Sequence, residues 1–392
     1  MSFEKPYAGL RVVDLSQGVA GPYCAMLLAR HGADVVKVEP PEGDWSRSIS
    51  PVYGSNTAYS VGANVGKRSI AVDLKTEAGR AVVERMLPKA DVFLEGFRPG
   101  VIDRLGFSYD RLKAINPRLV YVSISGFGQV GPFREKPAMD PILQAFTGFM
   151  SENKGPDGVP HRTPTIIVDM STALFSHQAV AAALYARAMG APGRRINASL
   201  MEAGANLQAI RLMSGYREGE LKAATAPSGT YQGSDGRWLQ IGALKNHEFV
   251  GTCKVLGFDD WIDDPRFANH AGRLAHAAFL TGKVAEVIRT KTAAEWRDKF
   301  TAAGLQNEML QSYREFVAHP HTEATGLIAW TTQPGSDQPW ATPNIPGTPR
   351  LEPGTPEALC PALGQHTREI LGELGYAEAD VAKMLGDKAV FA

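Results

Sequence analysis

Hydrophobic positions in the first 130 residues follow two alternating rhythms. Short apolar runs read as strands: Leu10-Arg-Val-Val-Asp-Leu15, Ala33-Asp-Val-Val-Lys-Val38, Ser69-Ile-Ala-Val-Asp73, Asp91-Val-Phe-Leu94 and Leu119-Val-Tyr-Val-Ser-Ile124. Between them, Gly21 to Arg30, Thr76 to Pro88 and Gly100 to Ile115 carry helical spacing. Strands interleaved with helices of this length predict βαβ units and a parallel sheet, with ligands beyond the carboxyl ends of the strands. Further on, Ile167 and Val168 read as the end of a strand, and Met170 to Ala186 as a largely apolar helix.

A different pattern starts near Thr225. Thr230-Tyr-Gln232 and Trp238-Leu-Gln-Ile-Gly-Ala243 flank Ser234-Asp-Gly236, a hairpin signal. Helices are expected from Asn246 to Leu256 and from Ala277 to Lys291, and a capping box, Thr292-Ala-Ala-Glu295, opens another. Eight of the 26 prolines fall between Pro334 and Pro361, which predicts an extended connector before short helices at His366 to Leu374 and Ala377 to Leu385. The fold class is therefore α/β: a Rossmann-like parallel-sheet large domain over residues 1–205, a linker at 206–225 and a smaller α+β domain at 226–330. Residues 331–392 form the proline-rich connector and C-terminal helices that return to the large domain.

The composition narrows the partners. A chain of 392 residues, 44% hydrophobic, is long enough for two or three packed units. Lys+Arg and Asp+Glu both total 41, so no net field attracts DNA, RNA or an anionic membrane. Cys24, Cys253 and Cys360 are isolated and odd in number, which predicts neither a disulfide framework nor a CxxC metal pair. The start lacks a signal-peptide core and no apolar run reads as long enough to span a bilayer, so a reducing, cytoplasmic setting is expected.

Few residues stand out as chemistry. Asp169 is the only formally charged residue between Arg162 and Arg187. It can cap the helix that follows, or serve as a nucleophile held in low dielectric. Gly126-Phe-Gly-Gln-Val-Gly131 matches GxGxxG after a strand, but Pro132 and Pro137 deny it the helix that a dinucleotide site requires, so NAD is not expected. His319 and His321 have metal-like proximity but read as a surface loop, and no metal is expected. Lys67, Arg68, Lys75, Arg98 and Arg104 gather at strand ends, and Arg98-Pro-Gly100 reads as a helix start that suits phosphate. Arg47 and His247 are weaker candidates for a second carboxylate.

Over Leu10 to Leu385 the chain resembles the class III CoA-transferases, the family of formyl-CoA and carnitine CoA-transferases. The resemblance is carried by Gly9-Leu-Arg-Val-Val-Asp-Leu15, Gly32-Ala-Asp-Val-Val-Lys-Val-Glu39, Lys67-Arg-Ser-Ile-Ala-Val-Asp-Leu-Lys75 and Gly96-Phe-Arg-Pro-Gly-Val-Ile-Asp-Arg-Leu-Gly106. It continues through Gly126-Phe-Gly-Gln-Val-Gly-Pro132, Asp140-Pro-Ile-Leu-Gln-Ala145, Asp260-Trp-Ile-Asp-Asp-Pro-Arg-Phe267 and Leu363-Gly-Gln-His-Thr367.

That resemblance implies an interlocked homodimer acting on an acyl-CoA and a small organic acid, with Asp169 as the nucleophile and Asp140 polar and close to it. It implies CoA contacts at Ala20, Val72, Lys75, Phe97, Val101 and Arg104, with Arg98 beside them. Gly96 stands where asparagine is often found. The glycine-rich loop of formyl-CoA transferases is not recognisable around Ser228 to Gly236. The α-methylacyl-CoA racemases share the aspartate but pair it with a histidine where this chain has Met139, a thioether that cannot carry a proton. The expectation is CoA transfer through an aspartyl anhydride and an aspartyl-CoA thioester, the alternatives being a racemase or a non-catalytic CoA-binding homologue.

Overall fold

The structure, a computed structural model, describes residues 4–155, 157–219 and 225–392. Two compact units emerge, one from Met1–Met213 with Thr325–Ala392 and the other from Ser214–Ala324.

The larger unit is built on strands β1 (Arg11–Asp14), β2 (Asp34–Glu39), β3 (Arg68–Val72), β4 (Val92–Glu95), β5 (Val120–Ser125) and β6 (Arg195–Ser199). Interleaved helices are α1 (Ala20–Arg30), α2 (Ala58–Asn64), α3 (Glu77–Met86), α4 (Val101–Arg104), α5 (Tyr109–Ile115), α6 (Asp140–Phe146), α7 (Phe149–Glu152), α8 (Ile167–Ala188) and α9 (Leu200–Leu207). Strands run in the order 3-2-1-4-5-6, all parallel, as in a doubly wound sheet. Alternate residues feed two cores. Val12, Val35, Val92, Leu94, Val120 and Val122 pack beneath α1 and α8, while Val13, Val36, Phe93 and Tyr121 face α3 and the C-terminal helices Thr367–Glu373 and Glu378–Gly386. Covered on both faces, β4 and β5 are buried along their whole length.

The smaller unit carries the antiparallel sheet of β7 (Gly229–Gln232), β8 (Trp238–Ile241) and β9 (Asn307–Met309), packed by helices Asn246–Leu256, Ala277–Ile288 and Ala293–Ala302 around Leu239, Phe249, Leu280 and Trp296. Thr292 and Glu295 exchange the two capping-box hydrogen bonds at 3.2 and 2.9 Å.

Several expectations change. Ile167 and Val168 are not the end of a strand; they form the first turn of α8, which starts two residues before Asp169. The helix expected over Gly100 to Ile115 is broken into α4 and α5, because Gly106 adopts φ +90°. The linker expected at 206–225 contains the helix Ala209–Glu218, and its residues 220–224 lie outside the described residues. The proline-rich stretch is not wholly extended connector: Trp340–Pro343 (β11) pairs with Ile328–Thr331 (β10). A terminal strand, Val390–Phe391 (β12), adds antiparallel to β3, and neither it nor β6 carried enough apolar residues to signal a strand. Among the described residues one helix, α8, is long and apolar enough to cross a membrane by length and composition, contrary to the expectation that no run would be. It packs on α1, α9, β5 and β6, as the core helix of a globular unit does.

Candidate active site

Strand order reverses between β1 and β4, so their carboxyl-end loops diverge and leave a crevice. A cavity of about 320 Å³ lies there. Its walls include Gln17, Val19 and Ala20 after β1, Gly96, Phe97 and Arg98 after β4, Ser125 at the end of β5 with Gly126 beyond it, and Met139 and Asp169.

Asp169 sits in the first turn of α8, where helical N–H groups lack intrahelical partners. The N-cap residue, Ile166, offers no side-chain acceptor. Asp140 takes that role from outside the helix: its Oδ2 accepts the N–H of Val168 at 2.7 Å and of Asp169 at 3.0 Å. Asp140 opens α6 with Pro141 behind it, and its other oxygen accepts Gln144 Nε2 at 2.6 Å, one helical turn on. Gln144 Oε1 in turn accepts the N–H of Thr163 at 3.0 Å, which ties the incoming loop to the same cluster. Asp169 is thereby fixed at its backbone, while its half-buried carboxyl faces the cavity. Burial pushes that carboxyl up to about 7, and the negative charge of Asp140 adds to the rise.

Buried ions hold the loop after β1. Asp44 accepts the N–H groups of Gly18 and Ser46, each at 2.9 Å, and the Lys37 ammonium at 2.7 Å. Gly18 has φ +81° and lies flat against the Trp45 ring, so a side chain there would clash. Trp45 thus forms part of the cavity wall.

The basic residues singled out by sequence divide into two groups. Lys67 is fully buried, bonded to Asp14 at 2.8 Å, to the Pro22 carbonyl at 2.7 Å and to Asn64 at 2.9 Å. Arg68 pairs with Asp34, Glu369 and Glu373. Both lie at the amino end of β3, away from the cavity, and belong to the scaffold. Arg47 is likewise tied to Glu39 at 2.7 Å. By contrast, among the described residues no ion pair forms at Lys75, Arg98 or Arg104, which follow the carboxyl ends of β3 and β4.

Of the expected site residues, the cavity gathers Asp169, Ala20, Gly96, Phe97 and Arg98. Asp140 stands behind it as the cap of α8. Val72, Lys75, Val101 and Arg104 are not in its wall: Val72 is buried against β12, and the helix expected to present anion-binding N–H groups at Gly100 has only the four residues of α4. Sequence reasoning missed Gln17, Trp45 and Ser125 in the wall, and Gln144 behind Asp140. Only Gln144 carried a signal, its i+4 spacing from Asp140.

A family model described as CoA-transferase family III matches residues 7–367. The chain belongs to CoA-transferase family III. An acyl-CoA transferase of Fusarium pseudograminearum is 34% identical over 97% of this chain and 87% of its own length. The acetyl-CoA:oxalate CoA-transferase of Acetobacter aceti is 36% identical over 82% of this chain and 85% of its own. A solved CaiB/BaiF family protein from Brucella suis superposes with a TM-score of 0.82 at 31% identity, covering 95% of this chain and all of that one. This family III member is accordingly an enzyme of the CaiB/BaiF type, whose substrates are CoA thioesters and carboxylic acids.

Proposed function

We propose that Asp169 is the nucleophile of CoA exchange. Its carboxylate attacks the thioester carbonyl of the donor; the C–S bond breaks, leaving an aspartyl–acyl anhydride and CoA thiolate. The thiolate attacks the aspartyl carbonyl and expels the donor's carboxylate, which gives an aspartyl-CoA thioester. An acceptor carboxylate repeats both steps in reverse and frees Asp169. Every step is an acyl transfer between activated species, so one hard exchange becomes several easy ones.

The observation that carries this reading is a half-buried carboxyl, raised to about 7, on a backbone pinned by Asp140 at the wall of the cavity. A poorly solvated carboxylate is a stronger nucleophile than one in water, and the buried Leu15 and Ile124 make the inner part of the wall apolar. The cations Arg98, Lys75 and Arg104 suit the phosphates of CoA, and Ala20, Val72, Gly96, Phe97 and Val101 lie along the same carboxyl edge of the sheet. Exposed apolar side chains on and after α8, among them Leu174, Tyr185, Met189, Ile210 and Tyr216, support an interlocked homodimer. A cytoplasmic setting fits the location of CoA thioesters. Met139 lines the cavity where a racemase needs its second base, which weighs against racemisation.

Denaturing mass spectrometry after incubation with acetyl-CoA or succinyl-CoA tests the reading. The expected result is a CoA-sized adduct on the peptide bearing Asp169. An Asp169→Ala variant that still exchanged CoA at the wild-type rate would sink it.

A further inference from the structure

The last residue of β4 has no part in the chemistry above, yet it joins two walls of the cavity. Glu95 is 1% exposed and, among the described residues, forms no ion pair. One carboxylate oxygen accepts the N–H of Phe97 at 2.8 Å, and the other accepts the hydroxyl of Ser123 on β5. Ser123 is itself reached by Gln129 Nε2 at 2.9 Å, from the glycine-rich loop that follows β5. A single buried carboxyl therefore connects Phe97, next to Arg98, with β5 and, through Ser123 and Gln129, with the loop that follows β5.

We propose that Glu95 is a positioning residue: its carboxylate clasps the loop after β4 to Ser123 of β5, and through Gln129 to the loop that follows, and so sets how Phe97 and Arg98 meet the acyl-CoA. This rests on the CoA-binding half of the proposed function, not on its covalent half. A buried carboxyl without a cation is costly, but a glutamine has only one acceptor oxygen for two donors, whereas the carboxylate has one for each. Retaining an acid makes the clasp sensitive to charge. Ionised, it offers acceptors to both donors. Protonated, it must donate through one oxygen, and the Ser123 hydroxyl then loses its acceptor. Burial pushes Glu95 up to about 7, against the pull of the Ser123 and Phe97 hydrogen bonds. The charged and titratable groups that face it are Arg195 on β6, Asp103 on α4 and Tyr121 on β5. The clasp is thus closed above neutrality and loosened below it.

The test is calorimetric binding of free CoA to the full chain between about pH 6 and pH 8, alongside steady-state kinetics. Glu95→Ala should weaken CoA about tenfold and raise KM for acyl-CoA more than it lowers kcat. Glu95→Gln carries the donor and acceptor of the protonated acid, so it should bind CoA about threefold more weakly than wild type near pH 8 and match it near pH 6. Ser123→Ala, a smaller change that guards against a misfolded Glu95→Ala, should weaken CoA roughly threefold. Unchanged affinity in Ser123→Ala, or a wild-type to Glu95→Gln affinity ratio constant with pH, overturns the proposal. Wild-type CoA binding without an adduct on Asp169 would remove the covalent mechanism yet leave the clasp standing; no CoA binding at all would remove both.

Discussion

The carboxylate of Asp140 accepts the backbone N–H of Asp169 at 3.0 Å, so one aspartate holds the peptide that carries the other. Two effects follow. The first turn of α8 gains the acceptor that Ile166 does not supply, which fixes the direction of the Asp169 side chain. The Asp140 charge also raises the proton affinity of Asp169. Positioning and electrostatics come from one group.

Removing that group separates the two effects. Asp140→Ala leaves the N–H groups of Val168 and Asp169 without their acceptor and should cost about 1–2 kcal/mol of stability. Misplacement of the nucleophile should lower kcat by about 10- to 100-fold. Asp140→Asn keeps an acceptor oxygen but no charge, so its rate loss should be smaller. Its pH–rate profile for the first half-reaction should rise at a lower pH than that of wild type, whose rising limb is expected near 7. An unmoved limb in Asp140→Asn would contradict the electrostatic part.

Stability against pH offers a second check on Asp169. Its folded carboxyl titrates near 7, above the ordinary aspartate value, so between those values the folded chain holds a proton that the unfolded chain has lost. The contribution is present in full at low pH and disappears as pH rises through 7. Asp169→Asn lacks this titration. Its melting temperature relative to wild type should therefore climb from about pH 4 to pH 8, by the equivalent of roughly 1–2 kcal/mol once partial solvent access is allowed for. A flat difference across that range would place the carboxyl in water.

Much of this architecture was legible because parallel strands buried on both faces must be nearly continuous apolar runs. Val12-Val13, Val35-Val36 and Val120 to Ile124 announced β1, β2 and β5 in that way. The edge strands β6 and β12 were silent, since an edge needs fewer apolar residues and β12 is only two residues long. Asp169 stood out as a lone charge in an apolar run, but the run's type misled: Ile167 and Val168 suit a strand by propensity, and packing against the sheet made them helix. Walls contributed by Trp45 and Gln17 depend on which loops the sheet brings together, and no local pattern encodes that.

The basic residues show the same limit, and they yield a third prediction. Sequence grouped Lys67 with Arg104, yet Lys67 is sealed within the scaffold and Arg104 stands exposed, without an ion pair among the described residues. Lys67→Ala would strand the buried carboxylate of Asp14 and should cost about 3–5 kcal/mol, read as a large fall in thermal midpoint. Arg104→Ala should change stability by no more than about 0.5 kcal/mol while raising KM for acyl-CoA. A stable Lys67→Ala, or an Arg104→Ala defect confined to kcat, would reverse the assignment.

Gly96 supports a fourth. It lines the cavity beside Phe97, its backbone does not require glycine, and an added Cβ would rest 3.4 Å from Ser16 Cβ, an ordinary contact. The absence of a side chain therefore leaves room in the cavity without relieving any strain in the chain. Gly96→Asn should fold with stability within about 1 kcal/mol of wild type. The added amide would occupy space close to the reacting carboxyl, so exchange with bulky acyl groups should fall further than exchange with acetyl-CoA. Equal losses for small and large acyl groups would mean that the space at Gly96 serves the CoA chain rather than the acid, and a collapse in stability would mean that Ser16 cannot yield.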